Sequence, residues 1–327
     1  MRIPATSCTR YASPTGSDSG GRGTLQSPYR TVQALVDSLQ PGETGCLEGG
    51  VYREDVSIHR GGTRGRRITL TSAPGARAVV QGVLWVAGGA NFVTVSNLRL
   101  DGRNGAGVPS PQVNADYTLF YGDDVTNDHT GICFVLGGSA GTYGVASHTT
   151  IARSRIHGCG TLPATHLDHG IYLEHTRGTE ILDNYIYDNA DWALHLFPDA
   201  QDSNIQYNVV DGNGDGLIIA GTGGMASSGN YVAHNIFSNT TDRGDSVKPT
   251  GNYGYLVTSF WGNRVGRDNV VTDNCFWNGV AGDVNTANGG FSLSENRVAD
   301  PGYLFRAGDD FRLRSGSPCA GDGPRGQ

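Results

Sequence analysis

Lysine is nearly missing from this chain: Lys248 is the single one among 24 lysines and arginines, set against 31 acidic residues and a formal net charge of -7. A protein that holds nucleic acid through its phosphates needs a basic stripe to release counterions, and none is visible, so nucleic acid is not expected as a partner. Apolar runs are short and none nears the roughly 18 residues of a membrane span, which argues against a membrane partner. The N-terminal MRIPATSCTRYASP has no apolar signal-peptide core, and the expectation is a soluble chain that starts after an export signal has been removed. A charged or Pro/Ser-rich linker is also missing, so the 327 residues read as one domain, 1–327. Closely spaced cysteine doublets of the zinc-site kind are absent. The six cysteines instead fall into three sequence-local pairs, Cys8 with Cys46, Cys133 with Cys159 and Cys275 with Cys319. Read as disulfides, they point to a secreted, extracellular protein.

What the chain does have is turn chemistry. Fifty glycines with abundant Asn, Asp, Ser and Thr favour an all-β fold with a turn every few residues. Internal repetition then decides the architecture. HGIYLEHTRGTEILDNYIYDNAD (169–191), WALHLFPDAQDSNIQYNVVDGNGD (192–215) and GLIIAGTGGMASSGNYVAHNIFSNT (216–240) share one order: strand, turn, strand, Asn, strand, Asn/Gly turn. Strands this short must pair with the repeats above and below, as in a solenoid. A period of two puts Ile171 and Leu173, Leu194 and Leu196, and Ile218 and Ala220 inside in the first strands, with Ile181, Ile205 and Val232 inside in the second. Asn184, Asn208, Asn235 and Asn274 recur at one place in successive coils, where stacked amides can satisfy buried turn backbone. Weaker coils precede these at 67–74, 91–102 and 131–137 and follow at 255–261 and 269–279, giving coils over about 66–300. Val32, Leu35, Val36 and Leu39 lie at helical spacing between Ser27-Pro28 and Pro41-Gly42, which predicts a helix over 27–43 that plugs the N-terminal end.

The segment YASPTGSDSGGRGTLQSPYRTVQALVDSLQPGETGCLEGGVYRE (11–54) resembles the opening of secreted bacterial right-handed parallel β-helix proteins, the pectate-lyase-like superfamily. ADPGYLFRAGDDFRLRSGSPCAGDG (299–323) is similar to the way that group closes, so 301–327 reads as a closing segment. The resemblance implies a right-handed parallel β-helix with an N-terminal capping helix. It also implies a place among polysaccharide lyases, glycosidases, uronate epimerases and proteins without assigned activity.

Long insertions in a solenoid gather around one groove. The connections 104–129, 161–168 and 241–252 are expected to form one wall, and 137–147, 197–203, 221–228 and 261–268 the other. Between them the outward residues of the first strands carry the chemistry. Tyr172 and His195 fall in one column a coil apart, and Glu174, His169, His175, Asp199 and Arg177 lie nearby. In a β-elimination on a uronate polymer, His195 and Tyr172 are the expected base and acid, with His169 and Glu174 as further catalytic candidates. Arg177, His175, Asp199, Lys248 and Arg243 are candidates to bind substrate and hold its carboxylate, and Phe197 and Trp192 to stack on sugar rings. Trp261 and Tyr143 are similar aromatic candidates. A glycoside hydrolase would use Asp168 with Asp191, or Glu174 with Asp199, on the same face. An epimerase, and a non-catalytic glycan-binding module, are the remaining readings. No cofactor is required. A calcium ion could sit in the acidic column Asp168, Asp191 and Asp215, although each aspartate stands at a turn where it can cap backbone amides and no calcium-loop spacing is present. Capped ends need no partner, so a monomer is expected.

Overall fold

The computed structural model describes residues 7–138, 144–241, 243 and 253–326. The chain winds as a parallel solenoid in which the coils contribute strands in turn to three sheets of 10, 11 and 10 strands, the first sheet including an extra short strand, Ala146–Ser147, beside Ile171–Arg177. The first sheet runs from Val56–Ile58 to Gly282–Val284, the second from Arg10–Ala12 to Ser292–Ser294, and the third from Gly50–Arg53 to Arg297–Val298. Parallel pairing therefore begins with Arg10–Ala12 on Thr44–Leu47, well before residue 66. Inward residues meet in one hydrophobic core that extends from Ala12 to Phe276.

The expected Asn column is the spine of this stack. Asn184, Asn208 and Asn235 are fully buried, and each donates its Nδ2 to the Oδ1 of the next coil's asparagine at 2.9 Å, ending on Asn274. Asn274 passes the ladder to Asn296. In the other direction the column continues through different side chains: Asn184 Oδ1 accepts from Ser154 N at 2.9 Å, Ser154 Oγ from Asp123 N at 3.1 Å, and Asp123 Oδ1 from Leu98 N at 3.0 Å. One acceptor per coil thus satisfies an otherwise orphaned amide.

This substitution explains a coil hidden in the sequence. The stretch 104–129 is not one insertion: Gln112–Val113, Leu119–Tyr121 and Asp124–Thr126 are the three strands of a complete coil, paired above and below. Only the connection from Gly102 to Pro111 is long. An aspartate where the later coils have asparagine conceals the repeat.

The phase of a later strand also differs from expectation. Leu194 and Leu196 pair with Leu217 and Ile219, while His195 pairs with Ile218. Leu217 and Ile219 therefore face the core, and Ile218 and Ala220 face outward. In LIIA every residue is apolar, so alternation cannot fix the phase, and the outward pair is nonetheless buried by its surroundings.

The helix is shorter than expected, Val32–Ser38, capped by the Thr31 side chain accepting from Ala34 N, with Val32, Leu35 and Val36 buried. Before Thr31 the chain is drawn away from a helix, because Thr24–Ser27 forms a turn and Tyr29 bridges to the first strand, its N donating to Tyr11 O. At the other end, Tyr303–Phe305 and Asp310–Leu313 form an antiparallel hairpin. Tyr303 and Phe311 pack with Tyr187, Val209 and Ile236 on the outer side of the third sheet, while Leu293 and Val298 of the last coil remain exposed. All three expected disulfides are formed, with Cα–Cα separations of 5.6, 5.5 and 5.7 Å. Among the described residues no helix is long and apolar enough to cross a membrane.

Candidate functional site

Strands Ile171–Arg177 and Trp192–Gln201 lie side by side in the first sheet, with Tyr172 opposite His195 in register. Period-two alternation sends both outward, between inward Ile171 and Leu173 and inward Leu194 and Leu196. Their rings are 5.2 Å apart and tilted by 32°. After Leu173 and Leu196 the register slips, so that His175 pairs with Asp199.

Together they floor a cavity of about 390 Å³, whose other walls are Ile132, His166, Leu167, His169, Trp192, Phe197, Ile218, Ala220, Tyr253 and Phe260. Gly160, at φ +83, turns the chain into the 161–168 loop that supplies His166 and Leu167. A Cβ there would lie 2.7 Å from Asp168 O, so glycine is required. Asp168 then holds the loop in shape by accepting from Thr161 N at 2.6 Å and from Thr165 N and Oγ1 at 2.7 and 2.6 Å.

The histidines form a chain behind the cavity. His195 Nδ1 is 2.9 Å from His169 Nε2, and His169 Nδ1 is 3.8 Å from Asp191 Oδ2, with His169 and Asp191 both 1% exposed. Burial, with His166 nearby, pushes His169 down to about 3. Burial, followed by the neighbouring His169 and His166, holds His195 well below the usual imidazole range. Burial and then the charge of Glu174 raise the Tyr172 phenol. At neutral pH the site therefore presents an uncharged imidazole beside a phenol that keeps its proton.

The remaining candidates divide by position. Phe197 and Trp192 line the cavity, Phe197 with its ring 5.4 Å from that of His195 and Trp192 5.7 Å from Tyr253. Glu174 faces outward, half-buried and raised by that burial, but is not a lining residue. Arg177 is ion-paired to Asp199 at 2.7 Å, both away from the cavity. His175 is buried, and among the described residues neither of its ring nitrogens has a hydrogen-bond partner. Arg243 is held by Asp188 and by Gly212 O, and despite its burial Asp188 is brought down to about 2 by the facing His129 and the hydrogen bond from Arg243. Trp261 packs on the core and donates to Gly289 O. Lys248 and Tyr143 lie outside the described residues.

The three aspartates do stack, through backbone bonds from Asp191 N to Asp168 O and from Asp215 N to Asp191 O, both 3.0 Å. Their side chains do not converge: Asp168 holds its own loop, Asp191 faces His169, and Asp215 accepts from Gly254 N. Among the described residues no group of three or more His, Cys, Asp or Glu is placed to hold a metal ion.

Sequence reading missed His166, Leu167, Ile132, Tyr253, Phe260 and the outward role of Ile218 and Ala220. The 161–168 insertion was a usable signal for His166 and Leu167. For Ile132, Tyr253 and Phe260 no local pattern distinguishes wall from core.

A parallel solenoid of three sheets is the architecture of a β-helix. Residues 81–259 match the family described as right handed beta helix region, and the chain belongs to that family. Among solved structures it is similar to pectate lyase Pel9A, with 16% identity, a TM-score of 0.61, and coverage of 96% of this chain and 91% of that one. It is also similar to the A-module of the mannuronan C-5 epimerase AlgE4 of Azotobacter vinelandii, with 15% identity, a TM-score of 0.54, and coverage of 82% and 71%. A third similar structure is the GH136 lacto-N-biosidase of Eubacterium ramulus, with 12% identity, a TM-score of 0.58, and coverage of 89% of this chain and 63% of that one. The likeness is one of fold. No curated protein matches the chain in sequence.

Proposed function

We propose that this chain is a secreted polysaccharide-active enzyme that cleaves a uronate-containing glycan by β-elimination in the cavity on the first sheet. The observation that carries the reading is the Tyr172 and His195 pair, with rings 5.2 Å apart in a cavity wall and environments that keep His195 uncharged and Tyr172 protonated at neutral pH. His195 takes the proton from C5 and Tyr172 protonates the oxygen leaving C4. Trp192, Phe197 and Tyr253 supply faces on which a sugar ring can stack. The exported location rests on the three disulfides. The short N-terminal helix, with Leu35 and Leu39 fully buried, is read as the cap of the first coil.

A hydrolase on the same face needs two available carboxylates. Asp168 and Asp191 are 5% and 1% exposed, and Asp199 is tied to Arg177, which favours elimination.

The test is incubation with uronate-containing and neutral polysaccharides, with calcium or a chelator, following both ultraviolet absorbance of unsaturated products and new reducing ends. Both signals rising together, and lost in His195→Ala and Tyr172→Phe, support the proposal. Reducing ends without absorbance move it to hydrolysis, and binding without either signal to a glycan-binding module.

A further inference from the structure

The acidic balance of the chain has a local exception far from the cavity. HRGGTRGRR (59–67) holds four arginines and a histidine and no acid. It connects Val56–Ile58 of the first sheet to Ile68–Ser72 of the second. It folds as a tight hairpin, with Thr63 N donating to Arg66 O at 3.0 Å and Arg66 N to Thr63 O at 2.9 Å. Gly62 N donates to Asn91 O at 2.8 Å, fixing the hairpin to the next coil. A Cβ on Gly61 would lie 2.1 Å from that same oxygen, so this close approach requires glycine. Two of the four guanidinium groups meet only neutral acceptors: Arg60 donates to Asp37 O and Leu39 O, and Arg67 to Val93 O, Tyr117 O and Thr94 Oγ1. Arg64 and Arg66 are exposed. Among the described residues none of the four arginines has an ion pair. The acids on the packed helix and turn are engaged, Asp37 accepting from Gln33 Nε2 at 2.9 Å and Glu43 paired with Arg10 at 3.1 Å. Outside the described residues the only acidic side chains are Asp242 and Asp245, on either side of Arg243, which is bonded to Gly212 O at a different corner of the solenoid.

We propose that this hairpin is a polyanion-binding surface, separate from the cavity, that holds a linear polysaccharide through its carboxylate or sulfate groups. The inference does not depend on which reaction the cavity carries out. Guanidinium forks match either oxyanion with paired hydrogen bonds. Four positive charges without a carboxylate partner, on one rigid turn, make a local attractive field in a chain whose net charge of -7 repels anions elsewhere. The position suits a long chain. Trp85 stands in the outward column of Tyr172, three coils nearer the hairpin by way of Gln112 and Val135, and its ring lies 5.5 Å from that of His59. The strand that leads into the hairpin is four coils from Ile171–Arg177, which is about 19 Å along the solenoid. A polysaccharide laid along the first sheet reaches hairpin and cavity together, and a chain held at the one is presented to the other at raised effective concentration. A nucleic acid duplex fits less well, because a single hairpin gives too few contacts to form a stripe along it, and the three disulfides suit an extracellular setting.

The experiment measures binding of the full chain, in its His195→Ala form, to polygalacturonate, dextran sulfate, neutral dextran and duplex DNA over a range of salt concentrations. Binding of an acidic glycan but not of neutral dextran, falling steeply with added salt, is the expected result. Polygalacturonate alone assigns the surface to carboxylates, and dextran sulfate alone to sulfates. Arg64→Gln combined with Arg66→Gln is expected to weaken that binding roughly tenfold or more and to flatten its salt dependence. Both side chains are exposed, so the melting temperature of this variant should match that of the parent. Arg64→Lys combined with Arg66→Lys should keep most of the affinity. Undiminished binding by the glutamine variant, binding of neither acidic glycan, equal binding of neutral dextran, or tighter binding of duplex DNA than of either acidic glycan overturns the assignment.

Discussion

His169 Nε2 lies 2.9 Å from His195 Nδ1, and the far nitrogen of His169 faces the buried Asp191 carboxyl at 3.8 Å. Two neutral imidazoles can share one N–H···N bond only if one donates and the other accepts. A carboxylate beside His169 Nδ1 favours the proton there, so Nε2 is the acceptor and His195 Nδ1 the donor. The unprotonated nitrogen of His195 is then Nε2. Asp191 and His169 are positioning residues in this account, acting through the orientation and tautomer of His195.

Removing that preference changes the tautomer before it changes the fold. In Asp191→Asn, nitrogen NMR of the His195 ring is expected to show a mixture of Nδ1–H and Nε2–H forms, and kcat to fall by roughly tenfold or more with little change in KM. An unaltered His195 tautomer with the same loss of activity would assign Asp191 a purely structural role.

Stability should depend on these buried imidazoles. His169 titrates near 3 in the fold and near 6.5 in the unfolded chain. Between those values the unfolded state binds the extra proton, so stability is full above about pH 6.5 and declines as the pH falls toward 3. The loss is on the order of a few kcal/mol, with His195 acting in the same direction. Thermal melts between neutral and acid pH should show the decline, and His169→Phe should flatten it.

The corrected strand phase gives opposite outcomes at adjacent positions. Ile219→Asn puts an unpaired amide into the core and is expected to cost about 3 kcal/mol or more, lowering the melting temperature sharply. Ile218→Asn puts its amide among the cavity-wall side chains outside the coil, so the melting temperature should fall less than in Ile219→Asn while substrate binding weakens. The reverse pattern in melting and binding would restore the phase read from the sequence.

At Asp123 the ladder carries a carboxyl where later coils carry an amide. Burial, although hydrogen bonds from Leu98 N and Tyr121 N oppose it, raises this group well above the usual carboxylate range. A raised folded value means the stability contributed by the protonated form is complete below about pH 3.9 and is lost as the pH rises through the folded value. Asp123→Asn keeps the bond from Leu98 N, gives up that from Tyr121 N and removes the buried charge, so its stability relative to the parent protein is expected to improve as the pH rises from about 4 to neutral. Denaturant melts at the two pH values check the sign.

The architecture was legible wherever the repeat used one residue type for one task. Asn184, Asn208, Asn235 and Asn274 marked the same turn in each coil, and Tyr172 and His195 aligned through alternation around inward leucine and isoleucine. Legibility failed where a different group did the same work, as at Asp123 and Ser154, and where four apolar residues in a row left two phases equally good, as at Leu217–Ala220. The cavity was only half legible for a related reason. Its floor belongs to strands, which have a period, but Ile132, Leu167 and Tyr253 come from connections whose geometry is set by contacts far away in sequence.

The placement of the disulfides changes how the molecule comes apart. A stack in which each coil touches only its neighbours is weakest at its two ends, where a terminal coil has one neighbour instead of two. Cys8–Cys46 fastens the first strand to the coil above it, and Cys275–Cys319 fastens the returning C-terminal segment to one of the last coils. Oxidised, neither Arg10–Ala12 nor the segment around Cys319 can peel away without carrying the coil it is bonded to. Reduced, it becomes a zipper with two free pulls, and a protease or a reductant would work inward from the termini, reaching the histidine pair near the middle last.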